Sequence, residues 1–83
     1  MKHGHAKKRY GQHFLHDPGT IDRIVRAIDP RPGDRLVEIG PGRGAITAPV
    51  LALAGRLDVV EIDRDVVPPL QAHCRGRGEL HVH

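Results

Sequence analysis

Apolar positions along this chain repeat with a helical period in some stretches and form short continuous runs in others. Ile21, Ile24, Val25 and Ile28 fall at i, i+3, i+4 and i+7, with Asp22, Arg23 and Arg26 off the stripe. That spacing predicts an amphipathic helix. Asp17 is placed to cap its free N–H groups, Pro18 suits the first helical position, and Pro30 ends it because the residue before a proline resists helical dihedrals. Arg31-Pro32-Gly33-Asp34 supplies a turn into a short strand, Leu36 to Ile39, which glycines at 40, 42 and 44 interrupt. Ala45 to Ala54 follows as a helix, with Ile46, Val50, Leu51 and Leu53 available for burial and Gly55 closing it. Pro49 is compatible if it lies within the first turn.

Leu57 to Ile62 is the second strand, and Asp63 or Asp65 can cap the next helix, Val66 to His73. Pro68 and Pro69 leave two starts open for that helix, one with both prolines in the first turn and one beginning at Pro69. Gly76 and Gly78 terminate it, and Glu79 to His83 alternates as a third strand. The order is a βα unit repeated behind a leading helix, which predicts an α/β fold with a parallel sheet and right-handed crossovers. Ligands of such sheets lie at the carboxyl ends of the strands, where the glycine turn and Glu61 both fall. Neither an internal repeat nor a low-complexity segment is present. The chain divides into an arm, residues 1–16, and a domain segment, residues 17–83.

Composition separates these two parts. With 83 residues there is room for one small domain, and the single Tyr and single Phe, Tyr10 and Phe14, both lie in the arm. The core must therefore be built from Val, Ile, Leu and Ala. Of the net charge of +3, the arm holds Lys2, Lys7, Lys8 and Arg9 without an acid, leaving the remainder nearly balanced. A basic arm suits a polyanion such as nucleic acid, with Lys7, Lys8 and Arg9 as contacts; the alternative is a solvated terminus. The hexad Tyr10-Gly11-Gln12-His13-Phe14-Leu15 places aromatics and polar groups beside that charge, suited to stacking, to covering a small ligand or to anchoring the arm. One cysteine, Cys74, excludes an internal disulfide and fits a reducing compartment. No apolar run reaches the length of a membrane span, and the N-terminus has no secretion-signal pattern, so a cytoplasmic location is expected.

Candidate chemistry gathers at Val37-Glu38-Ile39-Gly40-Pro41-Gly42-Arg43-Gly44-Ala45-Ile46-Thr47. Gly40, Gly42 and Ala45 satisfy a dinucleotide-type G-x-G-x-x-A pattern, and Glu61 follows at about the twenty-residue offset of a ribose-binding acid. A carboxylate there serves a dinucleotide or S-adenosylmethionine equally, because both carry an adenosine ribose. Glu38 discriminates: an acid before the glycines repels a pyrophosphate and attracts an amino group or a sulfonium. The competing reading pairs Glu38 with Arg35 or Arg43. His73 with Cys74, and His81 with His83, match no standard zinc spacing, so no metal is expected. His3, His5 and His16 add conditional charge to the arm, and Cys74 reads as a buried or semi-buried thiol.

Lys8 to Leu15, Val37 to Thr47 and Val60-Glu61-Ile62-Asp63, in this order and spacing, resemble the rRNA adenine N6-dimethyltransferase family from Lys7 onward. Gly11-Gln12 and Gly40-Pro41-Gly42 resemble its bacterial small-subunit branch more than its antibiotic-resistance branch. The resemblance implies the N-terminal part of a Rossmann-like class I S-adenosylmethionine-dependent methyltransferase sheet, preceded by a helix and basic arm. It also implies dimethylation of two adjacent adenosines near the 3′ end of 16S rRNA in the immature small subunit, by a monomer. The implied cofactor site is Gln12, His13, Leu15, Glu38, Gly40, Gly42, Gly44 and Glu61; at His13 the family often carries asparagine.

The family's catalytic tetrad, an Asn or Asp, a Leu or Pro, a Pro and an aromatic that hold the extracted base, has no counterpart in these residues. Val67-Pro68-Pro69-Leu70 lacks the Asn and the aromatic and stands in the wrong place. No catalytic residue is therefore assigned within this chain. The expectation is an N-terminal piece of a longer enzyme, inactive and poorly folded alone. Two alternatives stand beside it: the start of a nicotinamide-dependent oxidoreductase, and a non-enzymatic rRNA-binding module.

Overall fold

The computed structural model describes residues 16–83, which form a three-stranded parallel sheet with helices packed on one face. Helix α1 (Pro18–Ile28) leads into β1 (Val37–Ile39), α2 (Thr47–Ala54), β2 (Arg56–Val60), a 3-10 turn (Arg64–Val66), α3 (Val67–Cys74) and β3 (Glu79–Val82). The α/β architecture and every predicted element are present. The strand order is β1-β2-β3, with Glu38 opposite Val59 and Val59 opposite Val82.

Parallel pairing and a two-residue period sort the strand residues into two sets. Leu57 and Val59 of β2 are buried against Val50 and Leu51 of α2 and Leu70 and Cys74 of α3, with Leu80 and Val82 packed on this cluster. Each fully buried Leu or Val stabilises the fold by about 1.5–3 kcal/mol. The opposite set, Val37 and Ile39 with Asp58, Val60 and His81, faces away from the helices, and Ile39 is 81% exposed. Asp58 and His83 are joined on this side at 2.9 Å, which ties the end of β3 to β2 and lowers the Asp58 pKa.

Several local details differ from the sequence expectation. The stripe of α1 is only partly used: Val25 is buried and Ile21 packs against the core, but Ile28 is 42% exposed. The Asp17 carboxylate accepts from the Thr20 hydroxyl at 2.6 Å instead of capping a helix N–H, and Asp29 closes α1 in a left-handed conformation before Pro30. Leu53, expected in the core, is exposed, whereas Thr47, Ala48 and Ala54 are buried, because the face of α2 turned to the sheet runs through 47, 50, 51 and 54. Helix α3 begins at Val67 with both Pro68 and Pro69 in its first turn, settling the two starts left open. Neither Asp63 nor Asp65 caps α3, whose N-cap is Val66 without a side-chain bond; Asp63 instead caps the 3-10 turn ahead of it, its carboxylate accepting from the Asp65 N–H.

Gly78 shows why one glycine after α3 cannot be another residue. Its φ is +152°, and an added Cβ would lie 2.7 Å from the Gly55 carbonyl oxygen, the acceptor for the Glu79 N–H at which β3 begins. Gly76 has φ +80° with open space around it. Gly78→Ala is expected to cost about 2 kcal/mol or more and Gly76→Ala about 1 kcal/mol, the first from clash plus strain and the second from strain alone. Urea denaturation of both variants measures the difference, and equal losses would refute the contact as its cause.

Candidate functional site

The site lies where β1 ends. The turn after it places Gly40, Gly42 and Gly44 at φ +68°, +57° and +88°, conformations open to glycine and strained for other residues. The Gly40 N–H donates to the Val60 carbonyl at 2.9 Å, which fixes the turn beside the end of β2, one residue before Glu61. Gly44 N–H returns to the Pro41 carbonyl at 3.0 Å, and Ala48 N–H to Gly44, so the turn runs directly into α2.

A cavity of about 490 Å³ opens against this turn, within the size range of small-molecule sites. His16, Glu38, Gly40, Pro41, Gly42, Arg43, Ala45 and Ile46 line it. Glu38, Gly40 and Gly42 are thus brought together as the sequence placed them. Gly44 lies beneath the turn instead: a Cβ on it would meet Leu70 Cδ1 at 2.8 Å and His73 Cδ2 at 3.1 Å. Its small size lets α3 pack against the turn. Glu61 stands at the end of the neighbouring strand, not in the wall; its Oε2 accepts from the Asp63 N–H at 3.0 Å, and Oε1 is without a hydrogen bond among the described residues. Gln12, His13 and Leu15, with Lys7, Lys8 and Arg9, lie outside the described residues.

His16, read from the sequence as surface charge, is part of the cavity wall. Its position directly after the Tyr10 to Leu15 hexad is the signal that could have found it. Pro41, Arg43, Ala45 and Ile46 are the intervening turn residues, which a fingerprint defined by glycine positions passes over.

Glu38 is half-buried because its position on β1 points to the helix-covered side, in register with Val59. No ion pair to Arg35 or Arg43 forms. The partner is Thr47, at the first position of α2, whose hydroxyl donates to Oε1 at 2.5 Å. Burial raises the Glu38 pKa and the Thr47 hydrogen bond opposes that rise. Among the described residues the pocket therefore holds a carboxylate with no ion-pair partner, beside a turn whose glycines present bare backbone. Cys74 is buried, which raises its thiol pKa, and it lies behind the turn near Gly44. Among the described residues no group of three His, Cys, Asp or Glu side chains converges on a metal position, and no helix is long and apolar enough to cross a membrane.

A raised pKa means that the folded chain keeps the Glu38 proton to higher pH than the unfolded chain does. Stability from this group therefore falls as pH rises from the ordinary carboxylate range through the raised folded pKa. Glu38→Gln is expected to remove that slope. Melting temperature against pH for both proteins checks it; an unchanged slope would refute the assignment.

Comparison with known proteins covers nearly the whole chain. The family model described as ribosomal RNA adenine dimethylase matches residues 3–83. A Marinobacter nauticus protein named ribosomal RNA small subunit methyltransferase A is 59% identical over 83 residues, 99% of this chain and 30% of the relative. One of the same name from Xanthomonas campestris is 57% identical over 77 residues, 93% of this chain and 29% of the relative. The crystal structure of a dimethyladenosine transferase from Plasmodium falciparum superposes with a TM-score of 0.73 at 31% identity, covering 80% of this chain and 25% of that one. The chain thus spans about 30% of the length of its curated relatives. These matches leave the oxidoreductase alternative without support. With the glycine turn, the acid before it and the parallel sheet that carries both, the chain belongs to the ribosomal RNA adenine dimethylase family.

Proposed function

We propose that this chain is the cofactor-binding portion of an S-adenosylmethionine-dependent enzyme that dimethylates two adjacent adenosines near the 3′ end of 16S rRNA in the immature small subunit. The setting is cytoplasmic and the enzyme acts as a monomer. The observation that carries the cofactor reading is Glu38: a half-buried carboxylate with no ion-pair partner among the described residues, in the wall of a cavity against a glycine turn. Such a group suits the amino group and sulfonium of S-adenosylmethionine and opposes a pyrophosphate. Arg43 in the same wall supplies a cation for the carboxylate of the same amino-acid moiety, so the pocket offers both charges that a zwitterion needs.

When bound, the cofactor supplies a methyl group on a positively charged sulfur. The residues of this chain orient it: Gly40 and Gly42 let it approach the backbone, Glu38 and Arg43 hold its amino-acid end, and Glu61 accepts from the ribose hydroxyls. Gln12, His13 and Leu15 complete the site in this proposal, and Lys7, Lys8 and Arg9 contact RNA phosphates. Rate enhancement then comes from holding the methyl donor and the exocyclic amine in line.

Two measurements test this reading. Isothermal titration of S-adenosylmethionine into the chain is expected to show binding that Glu38→Gln weakens by about tenfold or more; binding of NAD(H) in its place would overturn the reading. Replacing Lys7, Lys8 and Arg9 together by Ala is expected to reduce the salt slope of rRNA affinity by about 2. An unchanged slope in filter binding would remove the arm from the interface. RNA binding without any response to S-adenosylmethionine would favour the non-enzymatic module instead.

A further inference from the structure

The wall of the cavity has a buried support that neither the glycine fingerprint nor the acid positions account for. Thr47 is completely inaccessible to solvent and is the only buried polar residue among the described core residues. A buried hydroxyl without a partner would destabilise the fold, so its hydrogen bond must be directed somewhere. It is directed at Glu38 Oε1, nine residues earlier in the chain and on a different element, at 2.5 Å.

Resting on the proposed cofactor reading, we propose that Thr47 is a positioning residue for this site, its buried hydroxyl orienting the Glu38 carboxylate so that Oε2 is the oxygen presented to a cationic amino group. The geometry carries this in three steps. Glu38 is fixed at its backbone by β1, which pairs with β2 through the Glu38–Val59 register. Its side chain lies on the helix-covered side, where a long flexible carboxylate has several rotamers and little water to favour one. Thr47 restricts that freedom, because it begins α2 fully buried among Ala48, Val50 and Leu51. One carboxylate oxygen is thereby committed to the protein, and the other has no hydrogen bond among the described residues.

The same bond acts on charge. Burial disfavours the ionised carboxylate, and a donor aimed at one of its oxygens favours it. The Thr47 hydrogen bond thus offsets part of the rise in the Glu38 pKa that burial causes. A β-branched residue of the same shape without the hydroxyl would fill the space and lose both effects, so Thr47→Val separates hydrogen bonding from packing.

Two readouts follow Thr47→Val and Thr47→Ser against the parent chain. In the first, the carboxyl carbon of Glu38 is titrated by NMR without ligand. Its midpoint is expected to move to higher pH in Thr47→Val and to stay near the parent value in Thr47→Ser. In the second, S-adenosylmethionine affinity is measured across pH. Thr47→Val is expected to weaken binding about tenfold at neutral pH and to shift the acid limb of the affinity profile upward, with Thr47→Ser within about threefold. Should Thr47→Val fail to fold, the Thr47→Ala titration replaces it, and a stationary Glu38 midpoint there has the same force.

An unchanged Glu38 midpoint, or equal weakening by Val and Ser, would overturn the positioning role. A moved midpoint in a chain that does not bind S-adenosylmethionine would leave Thr47 as a tuner of Glu38 and defeat the cofactor reading alone.

Discussion

Strand β2 is the constraint on which the rest depends. It pairs with β1 on one side and β3 on the other, and its inward residues Leu57 and Val59 are almost wholly removed from water beneath α2 and α3. The Gly40 N–H bond to Val60 carries the constraint into the site, because it sets the glycine turn at a fixed distance from the residue that precedes Glu61. The acid at the end of β2 and the turn at the end of β1 are neighbours because the two strands are parallel and adjacent. In an antiparallel pair their ends would be on opposite sides of the sheet.

Among the described residues the sheet is covered on one side only. Its helix-facing residues make the core, while Val37, Ile39 and Val60, with Ile62 beyond the strand, are left in contact with solvent, Ile62 at 95% exposure. A fold this small gains limited apolar burial, and an uncovered apolar sheet face lowers the gain further. The thin core compensates locally with close approach. Gly44 admits Leu70 and Cys74 against the turn, and Gly78 admits the Gly55 carbonyl at the start of β3. The first of these contacts lies under the turn that walls the cavity, so packing and site geometry are linked there.

Electrostatics in the cavity follow from the same asymmetry. A residue on the solvent-facing side of β1 would be hydrated and ordinary in its ionisation. Glu38, one position over, is turned toward the helices, is partly desolvated, and takes its hydrogen bond from a buried threonine. Asp58 on the open side behaves in the opposite way, its pKa lowered chiefly by the hydrogen bond from His83. Two acids on adjacent strands thus acquire opposite shifts, one chiefly from burial and the other chiefly from its histidine partner.

Much of this was legible in the residues alone. Helix periodicity, the glycine spacing and the apolar runs are local signals, and local signals determined the number, type and order of the elements and the placement of the two acids after apolar runs. What sequence could not supply was orientation between elements. Leu53 and Ile28 look as apolar as Leu51 and Val25, and only packing decides which of each pair meets the sheet. Arg35 and Arg43 look like natural partners for Glu38, being close in sequence and opposite in charge. The structure chooses Thr47 because β1 turns the Glu38 side chain inward, toward the first residue of α2, where a short neutral donor fits and a hydrated guanidinium would have to be buried. The sequence by itself determined that an acid precedes a glycine turn; the tertiary structure decided which oxygen of that acid Thr47 holds and which carries no hydrogen bond among the described residues.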